Sequence, residues 1–206
     1  MKFIGFGSSK GGVAKTTSAI HFAYWMALKG VRTVLVDDTS SRTALKWAAR
    51  ARKSEKFEAP FEVVPMFKLV RAAQRADMIV LDIRTNIDNR YLRDLAEDCD
   101  LVIIPTKPDI DSAVAAAETA RKIVRYSGIY RMLLTDCPTG SNKAGEDMQA
   151  DLEESRFSSI QQRIRRSEGI RHASLDGTTV AQQTGNYRVA WEDYQVAFEE
   201  IYEIVK

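Results

Sequence analysis

The residues from Ser8 to Thr17, Ser-Ser-Lys-Gly-Gly-Val-Ala-Lys-Thr-Thr, have the types and spacing needed to hold a chain of phosphates. Gly11 and Gly12 let the backbone approach an anion with no Cβ in the way. Lys15 supplies a point charge for the β and γ phosphates, and the Thr16 hydroxyl is positioned to ligate Mg²⁺. The stretch follows a short apolar run, Phe3 to Gly7, and opens an apolar-periodic one, Ile20 to Leu28. Strand, glycine-rich turn and helix in that order aim the free N–H groups and the positive dipole end of the helix at one spot. The ordinary phosphate loop is Gly-x4-Gly-Lys-[Ser/Thr]. Here Ala14 takes the place of the last glycine, and a second lysine, Lys10, lies five residues before Lys15. The competing account is a glycine-rich turn that binds nothing, with both lysines merely solvated. The agreement of strand, loop and helix argues against it.

Such a loop works only if a sheet holds it. Apolar β-branched runs at Phe3–Phe6, Thr33–Val36, Met78–Leu81, Leu101–Ile104 and Ile129–Leu134 suit strands buried on both faces of a parallel sheet. Helical periodicity falls between them, near residues 16–29, 42–53, 89–98 and 111–127. The alternation predicts an α/β fold: a doubly wound, mainly parallel sheet with helices on both faces. Val63–Phe67 offers a further strand, weakened by Pro65. Residues 135–144, rich in Pro, Gly, Ser and Asn, read as an exposed loop. Helices are expected over 145–155, 163–173 and Tyr187–Val205. At 206 residues and 45% hydrophobic, the chain can bury a sizeable core and is read as one domain, 1–206.

Nucleotides bind such sheets outside the carboxyl ends of the strands, so the polar residues there carry the next clues. Asp37-Asp38-Thr39-Ser40-Ser41 follows the second run, and Asp82-Ile83-Arg84-Thr85 follows the third. An aspartate that ends an apolar strand, as Asp82 does, can hold Mg²⁺ beside a phosphate loop. It can also be an ordinary turn former; a phosphate loop in the same sheet favours the metal role.

The two-lysine pattern Lys10-Gly11-Gly12-x-x-Lys15-Thr16 resembles the deviant Walker A box of the ParA/MinD family of ATPases. The resemblance implies a P-loop fold of that type, with Gly11, Gly12, Val13, Ala14, Lys15, Thr16 and Thr17 around ATP. It implies Mg²⁺ at Thr16 and Asp82, and a homodimer formed with ATP in which Lys10 reaches the partner's nucleotide. Asp37 falls where the family's A′ box begins, and Asp82 where its Walker B box ends. Residues 100–108 are similar to the strand and proline-containing loop that lie close to the nucleotide, which makes Pro105 an expected contact. Trp47 also fits small plasmid-type members, and the chain length resembles the compact branch without a helix-turn-helix. The match is carried by residues 1–135. Two departures stand out. The A′ box is commonly Asp-x-Asp, whereas Thr39 stands where the second acid would orient the attacking water. Asp38 is the alternative acid, although strand alternation points it away from Asp37. Lys10, Lys15, Asp37 and Asp38 are thus the expected catalytic residues, with slow turnover. The second departure is Arg84-Thr85, where many relatives carry proline or small residues.

The formal charge of +2 and pI of 8.5 are too mild to establish a polyanion partner. Locally, Arg163, Arg165, Arg166 and Arg171 face only Glu168 between residues 156 and 172. The family binds nonspecific DNA through basic residues on the dimer surface, so Arg163, Arg165 and Arg166 are the expected footprint. A solvated helix face is the competing reading. Cys99 and Cys137 are too few for a disulfide framework and fit a reducing cytosol. With no signal peptide and no membrane-length apolar run, a soluble, cytoplasmic and nucleoid-associated protein is expected. The C-terminal helix carries Glu199, Glu200 and Glu203 in its last turns, which anionic lipid would repel, so no membrane partner is expected. His21 reads as a packed or surface residue, and Phe22, Trp25 and Leu28 as core.

The leading functional expectation is a ParA-type positioning ATPase that segregates a plasmid or a protein organelle such as the carboxysome. Its hydrolysis would be stimulated by a ParB-like or McdB-like adaptor. Thr39 motivates a second expectation, a nucleotide-dependent scaffold with negligible turnover. A third, an iron-protein reductase sharing a cluster through Cys99 and Cys137, lacks the glycine-rich setting such cysteines need.

Overall fold

Six parallel strands lie in the order β3-β2-β4-β1-β5-β6. They are β1 (Lys2–Phe6), β2 (Thr33–Asp37), β3 (Glu62–Pro65), β4 (Met78–Asp82), β5 (Leu101–Thr106) and β6 (Tyr130–Leu134). The structure is a computed structural model that describes residues 1–54, 57–85, 87–140 and 143–206. Between the strands run α1 (Lys15–Leu28), α2 (Thr43–Ala51), α3 (Leu69–Ala73), α4 (Asn89–Asp98) and α5 (Ile110–Arg125). After β6 come α6 (Ala144–Glu154), α7 (Glu168–Asp176) and α8 (Val189–Val205). This is the doubly wound fold that the alternation of apolar runs predicts.

Period-two alternation sends side chains of each strand to opposite faces. Ile4, Phe6, Leu35 and Val80 join a core with Phe22, Trp47, Tyr194 and Phe198 from α1, α2 and α8. Val34, Val36, Ile79 and Leu81 join a second core with Leu92, Ala116, Ile123 and Leu152 from α4, α5 and α6. The sheet is therefore buried on both faces, which is why its strands read as continuous apolar runs. Trp47 donates its indole N–H to the Thr178 carbonyl at 2.8 Å and stacks on Phe61. Gly177, in the left-handed conformation at φ 68°, ends α7 directly against α2; a Cβ there would meet the Ala51 nitrogen at 2.4 Å.

Several expected boundaries move. The helix expected over 163–173 begins only at Glu168, capped by the Ser167 hydroxyl, which accepts from the Gly169 N–H. The residues before it run extended beside β6. Ile160 N–H donates to the Met132 carbonyl at 2.8 Å and Ile164 N–H to the Leu134 carbonyl at 2.9 Å. Ile160 and Ile164 are buried, so this segment covers the outer edge of β6, an edge that would otherwise stay unpaired. The weak strand at Val63–Phe67 is real but ends at Pro65 as the opposite edge strand, where a missing N–H is tolerated. A short 3₁₀ turn (Met66–Lys68) and α3 follow it, neither expected from periodicity. Leu28 is exposed rather than core, because α1 ends there. Ser141 and Asn142, within the loop expected at 135–144, lie outside the described residues. Among the described residues no helix is long and apolar enough to cross a membrane. The apolar face of α8 is covered by α1 and the sheet.

His21 is a packed residue that ties α1 to the C-terminal part of the chain. Its Nδ1 lies 2.7 Å from the Thr17 carbonyl, its Nε2 accepts from the Val180 N–H at 3.0 Å, and its ring stacks on Tyr194. That pattern needs the neutral ring, and burial pushes its pKa down to about 4, against the Thr17 carbonyl, which favours protonation. Between about 6.5, the unfolded value, and about 4 the unfolded chain binds more protons than the folded one. Stability is thus complete above that window and is lost as pH falls through it, by on the order of 3 kcal/mol. Urea denaturation of wild type and His21→Phe between about pH 7.5 and 4.5 should show a markedly weaker pH dependence in the variant.

Candidate functional site

The turn after β1 keeps the start of α1 open. Its N-cap, Ala14, has φ 62° and ψ 25° and makes no side-chain cap. Holding an alanine in this left-handed conformation costs about 1 kcal/mol, so the loop keeps the glycine conformation after losing the glycine. The first intrahelical bond runs from Ser18 N–H to the Ala14 carbonyl at 2.9 Å, which leaves the N–H groups of Lys15, Thr16 and Thr17 facing out of the helix start. By contrast α4, α5 and α7 are capped by Asp88, Asp109 and Ser167. Gly12 has φ 76°, and a Cβ at Gly11 or Gly12 would project into open space. That space is the cradle an anion would fill.

Neighbouring strand ends brace the loop. The Thr135 hydroxyl donates to the carbonyls of Val13 at 3.3 Å and Thr106 at 3.2 Å. Ser9 leans on α5 through the Ala115 carbonyl and Thr119. Lys15 is buried and curls back, its ammonium donating to the Lys10 carbonyl at 2.8 Å. Burial lowers its pKa, and the charge on Asp82 works the other way. The Lys10 ammonium points outward to a loose, exposed ion pair with Asp111 at 3.8 Å, a contact of the kind worth little.

Register places the acids. Phe6, Asp82 and Asp37 lie level at the carboxyl ends of β1, β4 and β2. Asp82 is fully buried, and neither of its carboxylate oxygens has a hydrogen-bond partner. Burial pushes its pKa up to about 7, helped by the charges on Asp37 and Asp38; the Thr16 hydroxyl and Lys15 oppose the shift. The Thr16 hydroxyl thus lies against the carboxylate as a hydrogen-bonding neighbour, though outside close hydrogen-bond geometry. A buried carboxylate without a donor, facing a hydroxyl, fits a hard divalent cation such as Mg²⁺; Asp82 and Thr16 would hold it.

The other acids are engaged. Asp37 accepts from the Thr39 N–H at 2.9 Å, the Thr39 hydroxyl at 2.6 Å and the Leu45 N–H at 3.0 Å. Asp38 turns away from Asp37, as alternation requires, and accepts from the Tyr91 hydroxyl at 2.6 Å. The Arg84 guanidinium lies over the Tyr91 ring at 4.2 Å and pairs loosely with Asp38 at 3.8 Å. Arg84 is among the polar residues noted past the third run; Tyr91 and Thr135 join the site without having been expected there. Thr135, the first residue after β6, was open to the strand-end rule; nothing in the sequence singles out Tyr91.

Pro105 lies inside β5, buried and paired with Leu133. Ile103, two residues earlier, faces β1 through its carbonyl, which accepts from the Gly7 N–H at 2.9 Å. The missing N–H of Pro105 therefore faces the side where β1 has already given way to the loop. Arg163, Arg165 and Arg166 lie apart from the loop, each beside a carboxylate. Arg163 approaches Glu146 at 3.6 Å, Arg165 grips the buried Asp193 at 2.8 Å, and Arg166 grips Asp136 at 2.9 Å. Cys99 and Cys137 are buried thiols whose pKa values burial raises to about 12 and about 11. They stand at opposite ends of the sheet, before β5 and after β6.

Residues 4–180 match the family described as the CobQ/CobB/MinD/ParA nucleotide binding domain. The chain belongs to that family. It is 29% identical over 197 residues to maintenance of carboxysome distribution protein A of Gloeobacter kilaueensis, covering 94% of this chain and 91% of that protein. To protein ParA of Rhizobium radiobacter it is 27% identical over 120 residues, 56% of this chain and 53% of that one. Its fold is that of apo McdA from Cyanothece, with a TM-score of 0.78 at 12% identity over the whole of both chains. It is equally that of a Borrelia burgdorferi plasmid partition protein bound to AMPPNP, with a TM-score of 0.75 at 15% identity, covering 97% and 99% of the two chains.

Two substitutions test the site. Lys15→Ala should abolish ATP binding measured by calorimetry, because the phosphates lose their principal cation. Asp82→Asn should remove the Mg²⁺ dependence of ATP binding. It should also raise the melting temperature of the nucleotide-free protein, since a buried charge without a donor is destabilising.

Proposed function

We propose that this chain is a ParA-type positioning ATPase. The observation that carries the reading is the open, uncapped start of α1 directly beside the unpartnered carboxylate of Asp82. One element offers N–H groups and Lys15 to an anion; the other offers oxygens to a cation. Together they suit a nucleoside triphosphate with Mg²⁺, which would neutralise charge between the phosphate oxygens. Gly11 to Thr17 bind and orient the phosphates. Lys10, whose ammonium makes only a loose, exposed ion pair with Asp111 among the described residues, serves the nucleotide of a second copy in an ATP-dependent homodimer. The dimer binds nonspecific DNA in the cytoplasm, and a ParB-like or McdB-like adaptor on the cargo stimulates hydrolysis and release. The extent of the likeness to the carboxysome distribution protein supports an organelle as cargo over a plasmid.

Turnover is proposed to be slow. Asp37 spends its oxygens on three donors, and Thr39 can orient water but cannot take its proton. Asp38 keeps one oxygen clear of Tyr91 and is the acid left to orient the attacking water. The same engagement of Asp37 and Thr39 favours, as a second reading, a scaffold that dimerises on ATP and does not cycle.

Sedimentation with ATP, ADP and no nucleotide, together with phosphate release with and without DNA and adaptor, separates the two. A dimer specific to ATP with adaptor-stimulated release supports the ATPase; a dimer with no release under any condition supports the scaffold. Lys10→Ala should leave ATP binding to the monomer intact and weaken the dimer, and an undiminished dimer would remove its role in trans.

A further inference from the structure

Residues 42–53 contain five lysines and arginines, Arg42, Lys46, Arg50, Arg52 and Lys53, and no aspartate or glutamate. The fold turns this run into one basic face. Ala44, Trp47, Ala48 and Ala51 are buried and face the core. Arg42 at the N-cap, Lys46 and Arg50 in the helix and Lys53 in the turn after it therefore fall on the opposite side, about 4.5 to 6 Å apart along the axis. Arg42, Lys46, Arg52 and Lys53 are exposed, and Arg50 is half-buried with its Nε donated to the Ser174 carbonyl at 3.0 Å. Among the described residues none of the five forms an ion pair within 4.0 Å, whereas Arg163, Arg165 and Arg166 all do. A phosphate approaching those three must displace a carboxylate, and for Arg165 a buried one; among the described residues, a phosphate approaching Arg42, Lys46 or Lys53 displaces no ion-pair partner.

We infer that the outer face of α2, through Arg42, Lys46, Arg50 and Lys53, is the surface that holds the phosphodiester backbone of nucleic acid. The inference rests on the proposed DNA-binding function and locates its contact. A row of cations without acids between them is the electrostatic footprint of sequence-independent backbone binding. Anionic lipid is the poorer fit, because the only apolar residue exposed between these cations is Ala49, and interfacial helices need large apolar side chains to insert. The face is also mechanically joined to the nucleotide site. Asp37 accepts from the Leu45 N–H in the first turn of α2 and lies level with Asp82.

The test is the salt dependence of binding to a labelled random-sequence duplex, read by fluorescence anisotropy with an ATP analogue present. Each phosphate contact contributes about 0.9 to the slope of log K against log salt. Lys46→Ala with Lys53→Ala should make the slope shallower by about 1.8 and weaken binding roughly ten- to hundred-fold near 0.1 M salt. ATP affinity and the melting temperature should stay as in wild type, and Lys46→Arg with Lys53→Arg should restore the slope. If wild type binds the duplex and the alanine pair shows an unchanged slope, the α2 assignment is wrong while the proposed function stands. Slope loss confined to Arg163→Ala with Arg166→Ala overturns it in the same way. If wild type binds no duplex, the DNA-binding part of the proposed function fails and the inference with it. Binding instead to phosphatidylserine vesicles through Lys46 and Lys53 would identify a membrane surface.

Discussion

A parallel sheet delivers all its strand ends to one edge, and here that edge must hold two buried carboxylates side by side. Asp37 and Asp82 lie level on neighbouring strands, and like charges on such a site resist being ionised together. The conflict is resolved unequally. Asp37 receives three donors from the turn that follows it, while Asp82 receives none. What faces Asp82 instead is the start of α1, because β1 is the other neighbour of β4 and Phe6 lies level with Asp82. The strand order thus sets an unsatisfied negative group against an unsatisfied positive helix end. Each is costly alone, and a phosphate chain with a divalent cation would satisfy both.

Most of this arrangement is legible in the sequence, because it depends on local order. Buried parallel strands announce themselves as apolar runs, and the residue after each run is a strand end by definition. Asp37 and Asp82 are found by that rule, whereas Thr135, equally open to it, reads in the sequence as the start of an exposed loop and is buried in the fold. Tyr91 is not found by it, since its link to Asp38 spans 53 positions and it stands in an ordinary amphipathic helix beside the core residue Leu92. The segment before α7 fails for a related reason. Ile160 and Ile164 are four apart, a helical spacing, yet their partners are the β6 carbonyls. Periodicity within a segment cannot report a hydrogen bond to a distant strand edge. The arginines of that segment are likewise read differently in space: as a sequence they form a basic cluster, and in the fold Arg163, Arg165 and Arg166 each lie beside an acid distant in sequence.

The C-terminal part of the chain works as a brace for the loop. Tyr194 of α8 stacks on His21 and shares a hydrogen bond with the Ser18 hydroxyl at 3.1 Å. Ser18 and His21 are in the first two turns of α1, and His21 holds the Thr17 carbonyl. The helix whose open end would receive the anion is therefore fixed from behind by neutral, buried groups. Charged groups in those places would add to the field at the site and would need partners of their own. Burial keeps His21 neutral, so the brace holds without altering the charge that the phosphates would meet.

The two departures from the family pattern belong to one cluster. A carboxylate at position 39 would set a second negative charge against the Asp37 oxygen that the Thr39 hydroxyl now approaches at 2.6 Å. Thr39 replaces that repulsion with a donor, and Asp37 becomes the anchor from which α2 hangs. The adjacent acid, Asp38, then needs support of its own. Arg84, the second departure, supplies a cation on one side and packs over Tyr91, which supplies a hydroxyl on the other. Thr39 and Arg84 thus act on consecutive carboxylates, the hydroxyl on Asp37 and the guanidinium on Asp38. A substitution at either position is expected to be felt at the other, because both act on carboxylates carried by consecutive residues of one strand end.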